Sequence, residues 1–292
     1  MNDAEKVYEE LLERVGEAHP RPRIEPVRRL AELAGSPQLS FPVVQVAGTN
    51  GKTSTSRAIE SLLRAHGLRT GLFTSPHLLS FSERFQLDGA PVDDRVLAAA
   101  WDELKLPLQL VDAELEADGH GRITFFEALA VLAFAIFADA PVEVAVIEVG
   151  MGGEWDATNI VDAQVAVFTP IDLDHTEILG RDIATIAKTK AGIVKPGSTV
   201  VTAVQDPEAL AEIEDAAMDR GARLVVQGRD FRLVEDRLAV GGRQIDVLGA
   251  TGRAYDPAFV PLHGRHQAEN ITLAIAAVEA FFADAPPGTP AS

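Results

Sequence analysis

Residues 43–54 read VVQVAGTNGKTS, and this stretch decides the fold. Val43-Val44-Gln45-Val46-Ala47 has the β-branched content of a buried strand. Gly48-Thr49-Asn50-Gly51-Lys52-Thr53-Ser54 follows as a glycine loop, and Ala58, Ile59, Leu62 and Leu63 then recur at helical spacing. Strand, glycine loop and helix form the context that a phosphate-binding loop needs. Gly48 and Gly51 allow close approach of backbone N–H groups to an anion, and the helix N-terminus adds partial positive charge. Lys52 can reach the outer phosphates, and the Thr53 hydroxyl is placed for Mg²⁺. The strict pattern would put glycine at position 46, where Val46 stands, so the loop is a variant. A plain glycine turn with a solvated lysine is the alternative.

Outward from the loop, strands alternate with helices. Helices are expected over 3–15 and 25–34, a strand over Arg69–Phe73, and a loop from Thr74. An Asp88-Gly89 turn follows, then a helix over 93–118 broken at Pro107, and an apolar helix over Thr124–Ala138. Strands are expected over Val142–Val149, Gln164–Thr169, Thr199–Val204 and Arg223–Val226, and helices over Asp182–Gly192 and Asp206–Arg220. This alternation predicts an α/β fold: a mostly parallel sheet with helices on both faces. Residues 229–262 break the rhythm and read as a small antiparallel β element, before a helix over about 265–282. The expected organisation is one ATP-binding domain over 1–284 and a linker or tail over 285–292.

The 292 residues are 47% hydrophobic and can bury a substantial core. No apolar run approaches a membrane span, and the charged, amphipathic N-terminus is unlike a signal peptide. Cysteine is absent, which excludes disulfides and thiol catalysis. The net charge of −18 argues against nucleic-acid and anionic-membrane partners. Cytoplasm is the expected compartment.

Ligands of an open α/β sheet bind beyond the carboxyl ends of its strands. Ser75, Glu148, Asp174 and His175 fall there. A carboxylate inside the apolar strand ending at Glu148 needs a partner. Ser75 could instead cap a turn, and His175 alone could be structural. Together a hydroxyl, a carboxylate and an imidazole beside a phosphate loop suggest a divalent-metal site, for Mg²⁺ or, given the imidazole, Mn²⁺. Lys190 ends an expected helix, where lysine complements the macrodipole, and Lys188 and Lys195 are equal candidates on these grounds.

GTNGKTS, TSPHL, Thr124-Phe125-Phe126-Glu127, EVGMGG, Asp156–Asn159, Leu173–His175, Lys190–Ile193 and HGRHQAEN occur in this order. Their order and spacing resemble the folylpolyglutamate synthase/dihydrofolate synthase branch of the Mur ligases, over residues 20–283. The resemblance implies an ATP-dependent ligase that joins L-glutamate to a folate or dihydropteroate carboxylate through an acyl phosphate. It implies that Gly48–Ser54 bind the triphosphate and Asn270 the adenine, and that Ser75, Glu148 and His175 hold Mg²⁺, with Thr53 serving a metal nearer the loop. It further implies a carbamylated Lys190, and a pterin site shaped by Pro76, His77, Phe126, Trp155 and Asp156. Lys52, Lys190 and His175 are the expected catalytic residues. Glu154 stands where many relatives carry a basic residue, and no Asp-x-x-His-Asn-Pro segment of the family's C-terminal domain occurs. That domain is expected to be missing and this fragment alone to be inactive. The alternatives are another Mur-type amide ligase, a non-catalytic nucleotide-binding domain, and a regulatory GTPase. No Asn-Lys-x-Asp segment supports the last.

Overall fold

The computed structural model describes residues 2–16 and 21–284; the expected tail over 285–292 lies outside them. The chain forms two compact units. The first comprises Met1–Pro42, Arg69–Met151 and Trp155–Asp162, and the second Val43–Leu68, Gly152–Glu154 and Ala163–Ser292. Each holds four sheet strands, and the second adds a separate three-stranded antiparallel sheet. The expected α/β class is the one found.

In the first unit, α1 (Asp3–Leu12) and α2 (Glu25–Leu33) precede β2 (Thr70–Phe73), β3 (Phe85–Leu87), β4 (Ala90–Pro91), α4 (Asp94–Ala117), α5 (Phe125–Asp139) and β5 (Val144–Glu148), with labels running in chain order. Its strands lie in the order β4-β3-β2-β5. β2 and β5 are parallel, with Phe73 opposite Ile147, while β3 runs antiparallel to β2. Every residue of β5 is buried, as a strand covered on both faces requires. α5 is buried almost all round and begins with a capping box: Thr124 accepts from the Glu127 N–H, and Glu127 reaches back to Thr124. Gly71 makes the approach of α5 possible, because a Cβ there would lie 2.9 Å from the Phe137 ring. The expected turn is present at Asp88-Gly89, both at positive φ, as a tight hairpin demands.

One expectation fails here. α4 is not broken at Pro107 but runs unbroken over 24 residues. Leu104 and Leu108 are buried on either side of the proline, and Val111 one turn further on. Burying side chains of this kind is worth about 1.5–3 kcal/mol each, which offsets the roughly 3 kcal/mol that an internal proline costs.

The second unit starts with β1 (Val43–Ala47) and α3 (Lys52–Ala65). It continues through β6 (Val165–Phe168), α6 (Thr176–Leu179), α7 (Ile183–Ala191), β7 (Thr199–Thr202), α8 (Pro207–Asp219) and β8 (Arg223–Val226). Its strands run parallel in the order β1-β6-β7-β8. The three-stranded sheet, β9 (Arg232–Ala239), β10 (Gly242–Leu248) and β11 (Ala254–Val260), is the antiparallel element expected over 229–262. Its Ile245, Val247 and Val260 pack on Ala268 and Ile275 of α9 (Arg265–Asp284). The short α6 was not expected. Among the described residues no helix is long and apolar enough to cross a membrane.

Candidate functional site

The second unit builds the loop that opened the sequence. β1 and β6 are parallel, with Ala47 opposite Phe168, so both chains leave the sheet at the same end. The Thr49 and Asn50 N–H groups donate to the Pro170 carbonyl at 3.0 and 3.3 Å. The Thr49 hydroxyl donates to the Asp172 carbonyl and accepts from the Asp172 N–H, both at 3.1 Å. Gly48, at φ +141°, lies so close to Thr169 that a Cβ would sit 2.0 Å from its Oγ1. Gly51, at φ +87°, caps α3, whose first turn starts at Lys52 and aims helical N–H groups out of the loop.

Two lysines meet behind this loop. Lys52 Nζ donates to the carbonyls of Gly48 and Thr49 at 3.1 and 3.3 Å. Lys190 Nζ, on α7, donates to the same Gly48 oxygen at 2.8 Å and is 2% exposed. Of the other candidate lysines, Lys188 is exposed and Lys195 is half-buried past the helix end. The glycine run passes the same turn of α7: the Glu154 N–H donates to Thr189 O at 2.9 Å, and a Cβ on Gly153 would lie 2.5 Å from Lys190 O. On α9, buried Asn270 closes over Gly51, where a Cβ would stand 2.7 Å from its Oδ1. Its Nδ2 donates to Gln267 Oε1 at 3.3 Å, and Gln267 Nε2 donates to the Ser54 hydroxyl at 3.5 Å. Gly48, Thr49, Asn50, Gly51, Lys52, Ser54, Lys190 and Asn270 thus form one constellation. His175 caps α6 in left-handed backbone at φ +45°, its ring half exposed and Nε2 3.5 Å from Asp174 Oδ1.

The first unit holds the expected substrate-site residues. Phe126, half-buried on the first turn of α5, packs beside Phe73 at 5.9 Å between centroids. A Cβ on Gly150 would lie 2.4 Å from the Phe126 ring. Arg23 fixes this helix start: its guanidinium makes two 2.8 Å bonds to Glu127 and donates to the carbonyls of Gly121 and Arg122. Ser75 is half-buried after β2, Pro76 is exposed, and His77 Nδ1 accepts from the Nε of buried Arg84 at 2.9 Å. Glu83 accepts from the N–H groups of Leu78, Leu79 and Ser80, so one carboxylate shapes the loop. Glu148, last residue of β5, is 1% exposed, and Trp155 is exposed.

The Asp156 carboxylate is hydrogen-bonded within the chain. It is buried, accepts from the Met151 and Thr158 N–H groups at 2.9 Å and from the Thr158 hydroxyl, and caps a short 3-10 helix over Ala157–Ile160. Burial pushes its pKa up, opposed by the bonds from Thr158, Met151 and Gly150. These bonds tie Asp156 to the glycine run at Met151. Sequence reasoning also missed Arg23, Pro170, Asp172 and Gln267. Only the Asp-x-Thr cap at 156–158 carried a local signal.

Among the described residues no group of three or more His, Cys, Asp or Glu side chains stands close enough to hold a metal. The expected donors, Thr53, Ser75, Glu148 and His175, are mostly hydroxyl and carboxylate. That chemistry suits Mg²⁺, which takes few protein ligands and completes its shell with phosphate and water.

Comparison with known proteins agrees with these features. The Mur ligase middle domain matches residues 94–278. The dihydrofolate synthase/folylpolyglutamate synthase of Mycobacterium tuberculosis is 43% identical over 276 residues, covering 90% of this chain and 56% of that protein. The structure of Mycobacterium tuberculosis folylpolyglutamate synthase complexed with ADP superposes with a TM-score of 0.91 at 40% identity, over 98% of this chain and 64% of that one. An FPGS complex with AMPPCP and folate gives a TM-score of 0.89 at 33% identity, over 96% of this chain and 67% of that one. The chain belongs to the Mur ligase family, and within it to the folylpolyglutamate synthase/dihydrofolate synthase branch. It spans a little over half the length of the curated relative.

Proposed function

We propose that this chain is the ATP-binding part of a ligase that adds L-glutamate to the carboxylate of a folate or dihydropteroate. The observation that carries this reading is the convergence of Lys52 and Lys190 on the Gly48 carbonyl, with Asn270 against Gly51. ATP would lie with its phosphates on Gly48–Ser54 and its adenine at Asn270. The pterin-linked carboxylate would attack the γ-phosphorus, with ADP leaving, to give an acyl phosphate. The glutamate amine would then attack the acyl carbon and expel phosphate. Two anions meet in the first step, so positioning and charge neutralisation dominate. Lys52 supplies one fixed positive charge. Mg²⁺, for which Thr53, Ser75, Glu148 and His175 are the proposed ligands, supplies further neutralisation when bound.

Lys190 is the proposed carbamylation site. Its ammonium would lose one proton to give the nucleophilic amine and a second as that amine adds to CO₂, turning a cation into an anion that favours metal. Pro76, His77, Phe126 and Trp155 are the proposed pterin contacts, with Asp156 as their brace. We assign residues 1–284 to the ATP-binding domain, 285–292 to a linker, and the cytoplasm as the compartment. The proposed partners are the small-molecule substrates, with no nucleic acid and no membrane.

A paired assay of this chain and its full-length parent tests the reading, with ATP, Mg²⁺, a pteroate and L-glutamate. The parent is expected to form glutamylated product and this chain little or none, because an acyl phosphate must be shielded from water by a closed site. A parent without ligase activity would end the functional assignment. A fragment as fast as its parent would place the whole catalytic machinery within these residues.

A further inference from the structure

β6 ends at Phe168, opposite Thr202 at the end of β7, and the Ala203 N–H closes their ladder on Phe168 O at 2.9 Å. Beyond that point a side chain takes the place of the strand. The Gln205 carboxamide accepts from the Ile171 N–H through Oε1 at 2.9 Å and donates through Nε2 to Thr169 O at 3.0 Å. One carbonyl and the N–H two residues on are the groups that a single residue of a parallel neighbour engages in a ladder. Nε2 also donates to the Thr202 hydroxyl at 3.1 Å, which ties the carboxamide to the last residue of β7. α8 is capped by Asp206, so the start of that helix does not call for glutamine at 205.

The segment that Gln205 grips is the one that holds the phosphate loop. Thr169 O and the Ile171 N–H turn towards Gln205, and the Pro170 carbonyl between them accepts instead from the Thr49 and Asn50 N–H groups at 3.0 and 3.3 Å. Asp172, next along, exchanges two bonds with the Thr49 hydroxyl. Thr169 lies against Gly48, where a Cβ would meet its carbonyl at 2.8 Å. Three contacts to the loop thus issue from four residues whose path one half-buried carboxamide sets.

We propose that Gln205 is a positioning residue for the phosphate loop, acting through Thr169–Asp172. The inference rests on the reading of Gly48–Ser54 as the triphosphate site. Gln205→Met keeps the side-chain length and loses all three bonds. Gln205→Glu keeps the acceptor for the Ile171 N–H but, when ionised, sets a carboxylate oxygen against Thr169 O. When protonated, its O–H donates there and the clip is remade. The Thr169 carbonyl and the neighbouring Asp206 hold that carboxyl above the ordinary carboxylate range.

Calorimetry of ADP binding to the 292-residue chain tests this, with each variant compared with the unmodified chain at the same pH. Gln205→Met is expected to weaken ADP about 3- to 10-fold at every pH. Gln205→Glu is expected to weaken it at least as much at about pH 8, and to regain affinity as the pH is lowered to about 5.5. A glutamine that only stabilised the fold would give no such pH-dependent rescue. In nucleotide-free chains, the Thr49 and Asn50 amides should exchange hydrogen about 3- to 10-fold faster in Gln205→Met. ADP affinity unaltered in both variants, a Gln205→Glu deficit that ignores pH, or unchanged exchange at 49 and 50 would each overturn the positioning role and leave the nucleotide site standing. An unmodified chain that binds no ADP would overturn the triphosphate reading and this inference with it.

Discussion

Lys190 Nζ lies 2.8 Å from the carbonyl oxygen of Gly48, and Lys52 Nζ meets that same oxygen at 3.1 Å. One carbonyl therefore accepts from two ammonium groups. That shared acceptor holds both lysines beside the loop against their mutual repulsion.

Lys52→Ala should leave the fold intact, since the side chain is only half-buried. On the proposed function, losing its contact to developing phosphate charge should cost on the order of 3–4 kcal/mol, or hundreds-fold in ATP turnover. Near-normal turnover would remove the phosphate-loop assignment.

Gly48→Ala should destabilise the second unit. The new methyl would meet Thr169 Oγ1 at 2.0 Å and its carbonyl at 2.8 Å, in backbone at φ +141° that favours glycine. Overpacking together with strained backbone predicts a loss of about 2–4 kcal/mol, read from the urea midpoint. ADP affinity measured by calorimetry should fall with it. An unchanged midpoint would contradict the closeness of Gly48 and Thr169.

Arg23→Met removes one partner of a nearly buried ion pair, with Arg23 and Glu127 side chains 18% and 6% exposed. Stranding the Glu127 carboxylate should cost about 3–5 kcal/mol. The double substitution Arg23→Met/Glu127→Met should cost less than Arg23→Met alone, because no charge is left buried. Additive losses in urea denaturation would show that the pair is not coupled.

Tyr255 donates its hydroxyl to Glu279 at 3.1 Å, and burial together with that carboxylate pushes its pKa up to about 12. The raised value means that the fold favours the protonated phenol. The stability it contributes is complete below the ordinary phenol range near pH 10 and is lost as pH climbs through about 12. Tyr255→Phe should therefore flatten the fall of Tm between roughly pH 10 and 12. It should also abolish a late-titrating absorbance at 295 nm, in a chain with only two tyrosines. A late phase that persists in Tyr255→Phe would assign it elsewhere.

The phosphate loop was legible because its determinants are neighbours in the chain: an apolar run, two glycines and a helical repeat. What holds that loop was not, since Pro170 and Asp172 reach it only through the parallel pairing of β1 with β6. Lys190 could not be separated from Lys188 by local pattern; burial on α7 separates them. The break expected at Pro107 reflects a helix propensity that buried leucines overrule. α6 escaped notice because four residues carry too little periodicity to register. Asp156 was read from its company of motifs, whereas its carboxylate is consumed by the backbone beside it.

Asn270 rests directly on Gly51, so the two ends of a nucleotide lying across them would share one wall. Any side chain introduced at position 51 would push on Asn270 as well as crowd the phosphates. With the adenine at Asn270 as proposed, selectivity among bases and grip on the phosphate chain would not drift independently. A substitution that loosened one would blur the other, and a change of preferred nucleotide would require both positions to move together.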